Sequence, residues 1–209
     1  MNKKLLALSV LSMATITSVA FASPQVNYDQ GNATFSIGAS ISPDAELENS
    51  GNSIDFDAST AIYGGATVGL GDNWGLGYKF KKNNIDDNSI DADLNAHQFN
   101  VYYKAAPGLT AFAGYDKSSY NGTISGSYID DSNNGFHVGV IGRVPLAMGW
   151  SAWGLIGTGN KLNEYEVGIS KTVFLNTELD LSYSNTKYKD LSNVDFTTKG
   201  INLGLTFKF

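Results

Sequence analysis

The last ten residues, GINLGLTFKF (200–209), alternate without a break. Ile201, Leu203, Leu205, Phe207 and Phe209 fall on one parity, and Gly200, Asn202, Gly204, Thr206 and Lys208 on the other. Successive side chains of a strand point to opposite faces, so this segment has one oily face and one small, polar face. The same period of two recurs along the chain, and no long amphipathic helical pattern competes with it. It predicts ten strands, at about 32–42, 57–70, 74–81, 94–104, 109–117, 136–144, 150–157, 163–173, 178–184 and 197–209.

The connections alternate in character. Gly71-Asp72-Asn73, Ala105 to Gly108, Pro145 to Gly149 and Phe174 to Thr177 read as short turns. SPDAELENSGNSIDF (42–56), KNNIDDNSIDAD (82–93), KSSYNGTISGSYIDDSNNG (117–135) and NTKYKDLSNVD (185–195) read as long, mostly acidic loops. Tight turns at one end and long polar loops at the other is the asymmetry of a membrane-spanning barrel. Thr158 to Leu162 is a short connection on the long-loop side, so eight strands is the alternative to ten. Both counts are even and put both chain ends at the short-turn end.

Alternation alone does not say which face is inside. A soluble lipocalin-like barrel buries its apolar parity, whereas a membrane barrel turns it to lipid. Along the oily parity, rings sort to the two ends. Trp74, Tyr103, Trp150, Phe174 and Phe209 lie near the turns, and Phe80, Tyr115, Phe136, Tyr165 and Tyr183 near the loops. Leu76, Val101, Ala111, Val140, Ala152, Val167 and Leu205 lie between them. Two aromatic belts around an aliphatic band match two water–lipid interfaces. The opposite parity carries Lys79, Lys81, Lys104, Asp116, Arg143, Glu164, Glu166, Glu178, Asp180 and Lys208. On the lipid side each would cost about 2–4 kcal/mol at mid-depth, so this parity lines the lumen. The charges fall into two mixed-sign tiers: Lys104, Arg143, Lys208, Glu178 and Asp180 toward the turns, and Lys79, Lys81, Asp116, Glu164 and Glu166 toward the loops. A paired, side-chain plug is favoured over an open pore, because a narrow barrel can be filled by its own side chains.

The first residues give the compartment. Lys3 and Lys4, the mostly apolar run Leu5 to Val19 and Ala20-Phe21-Ala22 have the layout of a secretory signal peptide, with residues 1–22 removed and 23–209 forming the barrel. The 209-residue chain less this 22-residue leader leaves 187 residues, with the 14 basic residues reduced to 12 against 20 acidic ones, a net charge of −8. That balance excludes nucleic acid as a partner. The chain has no cysteine, hence no disulfide framework, thiolate metal site or cysteine nucleophile.

The terminal strand GINLGLTFKF, ending on Phe209, resembles the last strand of bacterial outer-membrane β-barrel proteins, and the whole plan resembles the small OmpA-like barrels. The resemblance implies an all-β, antiparallel up-and-down transmembrane barrel in the outer membrane. It also implies that Leu205, Phe207 and Phe209 belong to the signal read by the barrel-assembly machinery. Outer-membrane lipid and lipopolysaccharide are the other expected partners.

Candidate chemistry changes this picture little. His97 and His137 are the two histidines, and neither AHQFN nor GFHVGV is a hydrolase motif. The parity puts His97 toward lipid and His137 in the lumen. NNIDDNSIDADLN (83–95) has alternating carboxylates but not the ligand order of a calcium loop, and IYGGATVGLG (62–71) lacks the ending of a phosphate loop. No catalytic residue, metal or cofactor is expected. The expectation is a non-enzymatic barrel with a structural, surface-interaction or narrow-passage role. A small-solute channel, a lipid-modifying barrel enzyme and a soluble periplasmic binder are its rivals.

Overall fold

A computed structural model describes residues 24, 27–49, 52–87, 90–124, 127–191 and 194–209; the expected leader lies outside them. Ten strands close into one antiparallel barrel: β1 (Ala33–Asn49), β2 (Asn52–Gly71), β3 (Trp74–Asp87), β4 (Ile90–Ala106), β5 (Leu109–Ile124), β6 (Ser127–Pro145), β7 (Trp150–Gly159), β8 (Leu162–Phe174), β9 (Thr177–Leu191) and β10 (Val194–Lys208). Each pairs with its sequence neighbours, and β10 closes on β1, with Leu205 opposite Ile37. Closure leaves every strand of the lipid-facing belt paired on both sides, which a bilayer demands because it offers backbone groups no water.

Ten strands are present, not eight. The short Thr158–Leu162 connection is a tight hairpin between β7 and β8, in register at Thr158 opposite Asn163. At the other end, Asp72 and Asn73 both take positive φ (51° and 69°) between the paired Gly71 and Trp74. This is the two-residue turn whose twist suits an antiparallel hairpin, and Asp and Asn tolerate it best after glycine.

The expected long loops are the largest correction. Segments 42–56, 82–93, 117–135 and 185–195 are not loops for most of their length, because the strands run on through them. Ladder pairing reaches Asn49 opposite Asn52, Asp87 opposite Ile90 and Ile124 opposite Ser127. Polar, acidic residues suggest a loop, but burial patterning rather than polarity marks a strand. The barrel therefore rises beyond its lipid band as a crown of extended hairpins.

The apolar parity faces out. Leu203 is 43% exposed and its neighbour Asn202 only 2%. Trp74, Trp150, Phe136, Tyr165 and Phe174 are exposed at the two ends of this outer face. In a soluble barrel those residues would form the core, so the chain is a transmembrane-type barrel.

Candidate functional site: a polar chamber between two closures

The lumen is stacked in four levels, set by the inward parity of each strand. At the turn-side mouth, Arg143 donates to Glu178 Oε1 (2.7 Å), to Ser151 Oγ (2.8 Å) and to the Pro24 carbonyl (3.2 Å). Lys208 donates to the same Glu178 oxygen, and Thr206 to Asp180 Oδ2 at 3.0 Å. Lys104 lines this mouth, which opens as a cavity of about 560 Å³.

The second level is apolar and was not foreseen. Tyr102, Phe112, Ile141 and Leu155 point inward and pack with Tyr28, which precedes β1. Tyr28 stacks on Tyr102 with centroids 5.7 Å apart and planes 12° apart. Beside this layer lies His137, buried, with Nδ1 3.0 Å from Asp116 Oδ1 and Nε2 2.8 Å from the Asn100 side-chain amide. Asp116, grouped by sequence with the loop-side charges, is the partner of His137. Strand parity places all three residues inside, but their meeting depends on cross-strand register, which no local motif encodes.

The third level is the chamber. Lys79 Nζ lies 3.7 Å from Glu164 Oε1, and Gln98 donates to Glu164 Oε2 at 3.3 Å. Lys81 donates to Thr198 (3.3 Å), and Ser182 to Glu166 (2.5 Å). Asn202 joins Ser40 and Ser184 across three strands. Between these groups is a cavity of about 70 Å³, polar and roomy enough for ordered water. Ions so deep in the fold are costly to desolvate, and their pairing chiefly makes the arrangement tolerable.

The fourth level closes the loop side. Ala45, Ile85, Leu94, Tyr120, Leu162, Tyr188, Leu191 and Phe196 form a buried apolar core inside the crown, with the Tyr120 and Phe196 rings 4.8 Å apart. A bulge between Ser40 and Ser42 moves β1 from even to odd inward residues, which brings Ala45 under cover and leaves Ile41 exposed. The inward parity that carries the chamber ions thus turns oily again beyond the lipid band.

On the outside, His97 sits between aromatic rings at the loop-side belt, its Nδ1 2.7 Å from the Tyr78 hydroxyl. On the crown, Lys187 bridges Glu48 (2.7 Å) and Asp195 (3.0 Å). These hydrogen bonds hold the Lys187 ammonium above its ordinary pKa. Burial opposes ionisation of Asp195, but the Asp190 N–H and Lys187 outweigh it and hold that carboxyl below the usual range. Lys82 pairs with Asp93 (2.9 Å), one of the carboxylates of the 83–95 segment. Among the described residues no three His, Asp or Glu side chains gather as a metal site.

No family model and no curated protein sequence matches this chain. Solved structures do. The outer membrane protease OmpT from Escherichia coli matches with a TM-score of 0.52 and 12% identity, over 90% of this chain and 99% of that one. The chain has the fold of an outer-membrane β-barrel. Neisserial surface protein A is also similar, with a TM-score of 0.49 and 14% identity over 86% of this chain and 100% of that one. At such identities the likeness extends to the fold and no further, and no individual member is matched.

Proposed function

We propose that the chain is exported, resides in the outer membrane as a closed and non-enzymatic barrel, and works through the crown of acidic hairpins that stands above the lipid. The observation that carries this reading is a pair of buried apolar clusters inside the barrel, Tyr28, Tyr102 and Phe112 on the turn side and the Phe196 core on the loop side. On this reading the two apolar clusters close the lumen at either end, and the lumen ions serve the barrel's own packing rather than a current. Lys79, Lys81, Glu164 and Glu166 line the chamber; Arg143, Glu178 and Lys208 tie strands at the mouth. A hydrolytic role finds little support, because both ring nitrogens of His137 are engaged, by a carboxylate and an amide, with neither facing a hydroxyl. Proteolysis is the activity of OmpT and is not carried over to this chain. Outer-membrane lipid, lipopolysaccharide at the aromatic belt, and the assembly machinery acting on Leu205, Phe207 and Phe209 are the partners this reading implies.

The test is reconstitution in a planar bilayer. The expected record is flat, without stepwise ion conductance at moderate voltage. Reproducible unitary steps from folded protein would replace the closed barrel with a channel.

A further inference from the structure

The two closures differ in construction. The loop-side core is contributed by strands: Leu94 from β4, Tyr120 from β5, Leu162 from β8, Tyr188 from β9 and Phe196 from β10. To open it, several ladder-bound strands must part. The turn-side layer includes one residue outside the ladder. Tyr28 is 1% exposed, yet it belongs to a segment that precedes β1 and crosses the inside of the β2–β3 hairpin. Outside the ladder, the crossing is joined to β2 by Gly71 N–H to the Tyr28 carbonyl (3.0 Å), Gly69 N–H to the Asn32 carbonyl (2.7 Å) and Gly31 N–H to the Gly69 carbonyl (3.4 Å), and the Tyr28 side chain hydrogen-bonds Thr110.

The strands are shaped to receive the ring. Gly69 and Gly75 lie directly against Tyr28, and a Cβ on either would collide with it, on the backbone at Gly69 and on the ring at Gly75. Glycine costs a strand stability, so its presence at both places marks a close approach that the sequence accommodates. Next in line inward from Tyr28 and Tyr102 on β4 comes Asn100, then Gln98 in the chamber wall. Behind the ring lie four ionic side chains around the 70 Å³ cavity; in front of it is the open mouth.

We propose that residues 27–32 form a gate, with Tyr28 as its bolt, that admits the turn-side aqueous phase to the chamber while the loop side stays sealed. The barrel is then a blind, one-sided compartment rather than a pore, an inference that rests on the closed-barrel reading above. Its closed and open states differ by the seating of one ring, in a segment that can move without breaking the β-ladder.

The chain has no cysteine, so a single Ser184→Cys on the chamber wall reports access to a charged, water-soluble methanethiosulfonate reagent. With no other change, labelling is expected to be slow. Tyr28→Ala removes the bolt, and Gly75→Ala unseats it from the opposite side without touching the segment. Either is expected to speed labelling by about tenfold or more, in line with the loss of a buried ring's packing, with heat-modifiable migration confirming a folded barrel in each case. Tyr28→Phe, which keeps the ring, should leave labelling slow. If labelling stays slow in every folded variant, the gate is wrong and the closed barrel stands. If Ser184→Cys alone labels fast, the closed barrel fails first and the gate with it. If Gly75→Ala folds and opens the chamber when Tyr28→Ala does not fold, the gate is supported by that route alone.

Discussion

Phe196→Ala is expected to cost the crown about 3–5 kcal/mol, the range for emptying a buried aromatic site. The ring is 1% exposed and packs on Tyr120 amid Leu94, Leu162 and Tyr188. The strands carrying these neighbours are fixed by a closed ladder, so the walls can collapse little into the space left behind. The loss is local, because the lipid band below has its own pairing and its own filling. The mutant should therefore still show heat-modifiable migration, while its hairpins become much more sensitive to added protease than those of the parent. Equal cleavage rates would mean that the crown does not depend on an apolar core.

Leu203→Arg is expected to destabilise the whole barrel by about 2–4 kcal/mol. Leu203 lies on β10 between Ala39 of β1 and Leu181 of β9, on the outward face and between the two belts. An arginine there must either enter hydrocarbon or stretch to an interface, and both raise the free energy of the inserted state. Urea unfolding from lipid vesicles would read the change, with Leu203→Met as a control that keeps apolar bulk. A midpoint shift no larger than the control's would contradict the placement of this face in lipid.

How far the sequence carried the fold depended on how locally each feature was encoded. The strands came from period-two alternation, which acts over a few residues, and their order in a closed meander needs no further information. Outward and inward faces followed from the sorting of rings on one parity and charges on the other. What failed was length. Segments such as 82–93 and 117–135 are mostly polar and carry little apolar signal, yet Ile85 and Tyr120 sit on the inward parity beyond the belt. Apolar residues on the lumen parity were the available sign that the barrel continues and closes over itself. The His137–Asp116–Asn100 cluster and the seating of Tyr28 were beyond reach for another reason: each joins residues across strands or from outside them, so register and close approach decide them, and neither leaves a local motif.

The central claim is that the oily parity meets acyl chains and the other parity meets the lumen, and β7 carries its own test. Trp150 points outward and is 42% exposed, whereas Trp153, three residues along the same strand, points inward, is 5% exposed and donates its indole N–H to Ser170 at 2.9 Å. Two variants, each keeping one of these tryptophans and replacing the other tryptophans with phenylalanine, can be folded into vesicles containing brominated lipid. The fluorescence of Trp150 is expected to be strongly quenched by bromine on the acyl chains and that of Trp153 to be nearly untouched. Strong quenching of Trp153 with Trp150 spared would contradict the central claim.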